Sequence, residues 1–186
     1  MWMIPIVAVL LIALVVLLPR FLASLDRHRA IKGLRVKLRH LGGRMRTLRR
    51  FPSFSSNRAS KYDLLVEKDG VLYAVKLWSC ARRNTDLRIF ADGRVCEERS
   101  EQAPLTPYGS VKQRTRRYPR AYVRKTERNF RLPPKRELVC VLLVYPSYRR
   151  IIIEKNGEAL ELKSGDMLFD KILLSPTAFL RMLSEK

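Results

Sequence analysis

Asp63 and Lys76 are the two residues of this chain best placed to do chemistry together. Asp63 lies in "KYDLLVEKDGVL" and Lys76 in "YAVKLW", two apolar runs joined through Asp69-Gly70. An Asp-Gly pair between apolar runs predicts a hairpin with a type I′ turn, because both central residues need positive φ. With Asp69 and Gly70 at the turn, Lys68 faces Val71, Leu65 faces Ala74 and Asp63 faces Lys76. Period-two alternation then puts Asp63, Leu65, Ala74 and Lys76 on one face. A lysine in a strand that reads as buried, opposite an aspartate, is one of two things. It is half of a cross-strand ion pair, or it is part of a site in which a carboxylate that can ligate a metal faces an ammonium that can orient water.

Few other constellations compete with this pair. His28 and His40 both fall in one basic stretch, so no Ser/His/Asp or Cys/His arrangement is offered. Cys80, Cys96 and Cys140 have no CxxC spacing and no histidine cluster beside them, which excludes a disulfide framework and a zinc site and fits a reducing compartment. Gly42-Gly43 lacks the flanking pattern of a phosphate-cradling loop. The net charge of +21 over 186 residues implies a polyanionic partner, either nucleic acid or the anionic face of a membrane.

The elements around the pair read as follows. Met1 to Pro19 carries no charge and nearly reaches the ~20 residues that span a bilayer, so residues 1–24 are expected to form one transmembrane helix. The rival is a signal peptide cut after Ala23 or Ser24, but nothing basic precedes the apolar run. Twelve Lys/Arg against one acid, Asp26, between Arg20 and Arg58 put that side in the cytoplasm and the N-terminus outside. The expected location is therefore the cell membrane, in single-pass form. Residues 25–60 read as a basic juxtamembrane helix and linker. In it Ile31, Leu34, Val36, Leu38 and Leu41 recur at helical spacing, and Arg27, Arg29, Lys32, Arg35, Lys37 and Arg39 are offered to anionic lipid headgroups. A solvated connector is the other reading of this helix, and nucleic-acid contact a third.

Residues 61–186 read as the folded domain. A second hairpin joins "LRIF" to "RVCEE" through Asp92-Gly93, and a third joins "YRRIIIEK" to "EALEL" through Asn156-Gly157. Between them, residues 112–136 hold eleven Lys/Arg against one acid, Glu127, interleaved with Tyr118, Tyr122 and Phe130. That mix suits phosphate contact and base stacking. Lys112, Arg114, Arg116, Arg117, Arg120, Arg124, Lys125 and Arg128 are the candidate nucleic-acid contacts, with a short helix expected near Tyr122 to Phe130. The alternative is a solvated charged helix that packs its aromatics on the sheet. "ELVCVLLVYP" lacks alternation and predicts a central strand buried on both faces. "DMLFDKILL" predicts a last strand, and Ser175-Pro176 an N-cap and first turn for a C-terminal helix. The expected fold class is α/β (α+β), a mixed sheet flanked by helices.

The Asp63 strand, its partner ending in "AVKLW" and the later "VCVLLVYPS" strand resemble the PD-(D/E)XK restriction-endonuclease-like core, and the layout is most similar to the nuclease-related (NERD) domain. The resemblance covers roughly Lys61 to Lys186. It implies that Asp63 stands at the metal-binding aspartate and Lys76 at the lysine that orients or activates water. It also implies Mg²⁺ as cofactor only if the site is active. Ala74 stands at the acidic position, and a methyl group coordinates no metal. Glu67 lies two pleats along, opposite Leu72, and joins the site only in another register.

Three readings of Asp63 and Lys76 follow: an active metal-dependent nuclease with a displaced acid, a nuclease-derived domain without catalysis, and a structural pair on an unrelated sheet. The second is the expectation, with no cofactor and with DNA or RNA held by basic surface. The alternative function is a membrane-surface protein whose charge binds anionic lipid or a protein partner.

Overall fold

The structure is a computed structural model, and it describes residues 25, 27–49, 60–79, 85–99, 114–118, 123–145, 148–155 and 157–185. Helix α1 spans residues 27–40. Eleven strands follow in chain order: β1 Arg44–Thr47, β2 Leu64–Lys68, β3 Val71–Ser79, β4 Thr85–Phe90, β5 Val95–Arg99, β6 Arg114–Tyr118, β7 Leu138–Tyr145, β8 Arg150–Lys155, β9 Glu158–Leu162, β10 Met167–Leu168 and β11 Lys171–Leu174. Helix α2, Pro176–Ser184, closes the chain.

The strands form two sheets. The first has the order β1-β2-β3-β7-β11-β10 and the second β6-β5-β4-β8-β9. In the first sheet β1, β2 and β3 are antiparallel neighbours, and β3, β7 and β11 run parallel. The β2–β3 register is the predicted one, with Leu65 opposite Ala74 and Lys68 opposite Val71. Asp69 (φ 50°) and Gly70 (φ 80°) make the turn, as a type I′ geometry requires. The β4–β5 and β8–β9 hairpins also form. β7 is central, between β3 and β11. "DMLFDKILL" instead gives two strands, because Phe169 takes φ 56° and turns the chain between β10 and β11.

Each face of the first sheet has its own core. On one face Ile31, Leu34 and Leu38 of α1 and Phe179 and Leu183 of α2 pack on Leu64, Val66, Tyr73, Val75, Leu77, Val141 and Leu143. Tyr73 meets the Phe179 ring edge-on at 5.9 Å. On the other face Trp78, Leu142, Val144 and Leu173 pack against Leu87, Ile89 and Val95 of the second sheet. Both helices thus lie on one side and a sheet on the other, which corrects the expectation of helices flanking a single mixed sheet. Parallel pairing of β4 with β8 joins the β4–β5–β6 strands to the β8–β9 hairpin in one sheet, whose apolar face covers the first sheet.

Two expectations about the N-terminal region change. Among the described residues no helix is long and apolar enough to cross a membrane, so the N-terminal transmembrane helix is not supported; residues 1–24 themselves lie outside the described residues. The 25–60 stretch, expected as a segment apart, supplies α1 and β1 to the folded unit. The apolar stripe of α1 faces the sheet, where each fully buried Leu or Ile contributes about 1.5–3 kcal/mol, and only Val36 of that stripe points outward at 54 % exposure. α1 ends in a Schellman motif: Gly43 N–H donates to the Leu38 carbonyl (2.9 Å), Gly42 N–H to the Arg39 carbonyl (3.1 Å), and Gly42 takes φ 74°. That tight reversal sends the chain straight into β1, which pairs with β2 from Arg44 opposite Glu67 to Thr47 opposite Leu64.

Candidate functional site

Asp63 is fixed by its backbone before its side chain is considered. Its N–H donates to the Val75 carbonyl at 2.9 Å, and its own carbonyl accepts from Leu48 N–H at 2.9 Å. The residue therefore sits between the continuation of β1 and β3, with its side chain wholly buried. Lys76, also wholly buried, stands opposite it on β3.

Three donors occupy the Asp63 carboxylate. Oδ2 accepts from Lys76 Nζ at 3.2 Å and from Leu77 N–H at 2.9 Å. Oδ1 accepts from Arg49 Nη1 at 3.1 Å. Lys76 Nζ also donates to the Lys61 carbonyl at 3.2 Å. Burial drives the Lys76 pKa below its ordinary value. Asp63 opposes that shift through its charge and its hydrogen bond, and the positive charges of Arg49 and Arg27 add to it.

A divalent cation does not fit this arrangement. A metal site of the kind implied by the resemblance needs at least two carboxylates converging on one ion. Ala74 is buried in the second position, and Glu67 is drawn away into an ion pair with Arg136 opposite Leu72. The atoms that surround Asp63 are hydrogen-bond donors, two of them on basic side chains. Among the described residues no group of three or more His, Cys, Asp or Glu is placed to hold a metal ion.

Arg49 is the residue that sequence reasoning missed. It falls in the stretch that reads as a linker, yet its side chain, 21 % exposed, pairs with the wholly buried Asp63 carboxylate. The available signal was the alternating "RMRT" after Gly42-Gly43, which marks β1 and hence the strand that brings Arg49 beside Asp63.

The other expected residues are divided by the fold. Arg27 is corrected from membrane surface to interior: it is 6 % exposed and its Nη2 donates to Ser79 Oγ on β3. Arg29, Lys32, Arg35, Lys37 and Arg39 are exposed along α1. Arg114, Arg116 and Arg117 belong to β6, an edge strand of the second sheet, opposite Arg99, Glu97 and Cys96 of β5. Lys112 and Arg120 lie outside the described residues. Arg124, Lys125 and Arg128 are exposed on residues 123–130, which form a turn and an isolated bridge in place of the expected short helix.

That 123–130 segment is anchored to the site by its inward groups. Val123 joins the core on the Lys76 face of the first sheet, and its carbonyl accepts from the buried Lys171 Nζ at 3.0 Å. Asn129 Nδ2 donates to the Tyr62 carbonyl at 3.1 Å, and Phe130 meets the Tyr62 ring edge-on at 5.9 Å. The backbones of Lys61 and Glu127 form an isolated parallel β-bridge, with Glu127 N–H donating to the Ser60 carbonyl at 2.6 Å. The Tyr62 hydroxyl donates to Cys140 Sγ at 3.1 Å; burial, with Cys140 beside it, raises the phenol pKa well above its ordinary value. The two residues preceding Asp63 are therefore clamped under the basic segment.

Comparison with known proteins adds no relative: no family model, no curated protein and no solved structure matches the chain.

Proposed function

We propose that this protein is a non-catalytic nucleic-acid-binding domain whose Asp63–Lys76 hairpin is the relic of a nuclease site of PD-(D/E)XK type. The observation that carries the reading is the placement of Arg124, Lys125 and Arg128. They are exposed on the segment that packs against Lys61 and Tyr62, on the side of the sheet that holds Asp63 and Lys76. A polyanion drawn to this side meets guanidinium and ammonium groups outside. Beneath them the Asp63 carboxylate is wholly buried and already committed to Lys76, Arg49 and the Leu77 amide. The net charge of +21 supports the same partner. Phosphate contacts supply affinity without base information, so binding is non-specific in sequence.

Fluorescence anisotropy of the full chain with labelled single-stranded and duplex oligonucleotides tests this. Affinity should fall linearly on a log–log plot against salt, and Arg124→Gln/Lys125→Gln/Arg128→Gln should flatten that line. Absence of binding to either oligonucleotide at low salt refutes the reading.

A further inference from the structure

We infer that the cavity between the β4–β5 and β8–β9 turns holds one unpaired base of a single-stranded nucleic acid against the Phe90 ring, while the adjoining phosphates go to Arg124 and Lys125. This site rests on the nucleic-acid reading above and narrows its substrate class to single strands.

Phe90 ends β4 and stands opposite Glu154 of β8, which in turn stands opposite Ala159 of β9. Leu87 and Ile89 of β4, Ile151 and Ile153 of β8 and Leu162 of β9 belong to the core between the two sheets. Alternation therefore turns Phe90, Glu154 and Ala159 to the other face of the second sheet. The turn after β4 brings Arg94 back beside the ring. Phe90 N–H donates to the Arg94 carbonyl at 2.9 Å, and Gly93, at φ 87°, donates to the Phe90 carbonyl at 2.8 Å. The Arg94 guanidinium then lies over the half-buried Phe90 ring, 5.5 Å from its centroid. Phe90, Asp92, Arg94, Glu154 and Ala159 line a cavity of about 450 Å³. That volume is in the range of small-molecule sites, about 300–1,000 Å³.

The chemistry of the cavity selects a base and not a phosphate. Its carboxylates, Asp92 and Glu154, repel a phosphate but accept from the N–H groups on the Watson–Crick edge of an unpaired base. Both are held in place by cations: Asp92 accepts from Arg94 Nε and from Arg94 N–H at 2.9 Å, and Glu154 accepts from Arg88 Nη1. A carboxylate has about four lone-pair sites, so each keeps capacity to accept from a ligand. The Phe90 ring and the Arg94 guanidinium supply the stacking surface, which any base can use because every base has a π-face.

Arg124 joins this cavity to the basic segment. Its Nη1 donates at 3.2 Å to the carbonyl of Ala91, a residue of the cavity wall, and both Arg124 and Lys125 are exposed. A strand whose phosphates lie along Arg124 and Lys125 thus has a base within reach of Phe90. A duplex does not offer one, since its bases are paired and stacked and releasing one costs free energy.

The test measures anisotropy of the full chain with three labelled probes of equal length: a single-stranded oligodeoxynucleotide, its duplex, and a single strand of abasic residues. Wild type should bind the base-bearing strand about five- to 150-fold more tightly than the abasic strand, the range for one stacked base. Phe90→Ala should lose that factor on the base-bearing strand and bind the abasic strand and the duplex as wild type does. It should also keep the wild-type log–log salt slope, because stacking releases no counterion. Phe90→Tyr, which retains the ring, should bind as wild type. Equal affinity of wild type for the base-bearing and abasic strands, a comparison that needs no variant, overturns the base site and leaves the nucleic-acid reading intact. So does an unchanged affinity of Phe90→Ala for the base-bearing strand. An equal loss by Phe90→Ala on all three probes also overturns the site, and assigns Phe90 to holding the β4–β5 turn. No binding of any probe by wild type overturns both the site and the nucleic-acid reading.

Discussion

Lys76 Nζ lies 3.2 Å from Asp63 Oδ2, and neither side chain is reached by solvent. Two charges removed from water in this way are worth little as a pair compared with an apolar replacement, but removing one partner leaves the other stranded. Asp63→Ala should therefore destabilise the domain by about 3–5 kcal/mol. Lys76→Met should cost less, since Asp63 keeps Arg49 and the Leu77 amide. Urea unfolding of the two single variants and the double variant measures the coupling. A double variant as unstable as the sum of the singles would show that the pair is not coupled.

The pH dependence follows from burial. Lys76 has its pKa depressed in the folded state below 10.5, so the unfolded chain binds more protons between the folded value and 10.5. Stability contributed by this group is therefore lost as pH falls through the folded value and is restored as pH rises towards 10.5. Tyr62 and Tyr73 act in the opposite sense: burial raises both above 10.0, so their contribution is lost as pH rises beyond that point. Wild type should gain stability relative to Lys76→Met as pH is raised towards 10, and unfolding curves of the two proteins at matched pH check this. A constant difference between them at all pH values contradicts the shift.

The place of α1 in the core gives a third expectation. Leu38 is wholly buried against the sheet, so Leu38→Ala should lower global stability by about 2–5 kcal/mol. Val36→Ala, on the exposed side, should change it by less than about 0.5 kcal/mol. Cooperative unfolding monitored by circular dichroism separates these outcomes. If Leu38→Ala left the transition unmoved, α1 would not be part of the folded unit.

The contrast between the β2–β3 hairpin and α1 shows what was legible in the sequence. Asp69-Gly70 sets register by local sterics, so the facing of Asp63 and Lys76 could be read before any tertiary contact was known. The Ser175 cap of α2 was legible for the same reason: its hydroxyl accepts from Ala178 N–H at 3.2 Å, three residues on. The stripe of Ile31, Leu34 and Leu38 announced a helix but not what covers it, because lipid and a sheet face are equally apolar. Arg49 was hidden for a related reason. Its partner is 14 residues away and is reached only through the pairing of β1 with β2. The second sheet was legible as separate hairpins, while the parallel pairing of β4 with β8, Asp86 opposite Arg150, joins residues more than 60 positions apart.

The relic reading of Asp63 is tested most directly by incubating the full chain with an end-labelled oligonucleotide in Mg²⁺, Mn²⁺ or EDTA, and measuring both binding and the integrity of the label. With the carboxylate held by Lys76, Arg49 and Leu77 N–H, the oligonucleotide should stay intact in every case, and its affinity should not depend on a divalent cation beyond ionic strength. Metal-dependent cleavage by wild type, abolished in an Asp63→Asn protein that remains folded, would contradict it and assign Asp63 to a working metal site.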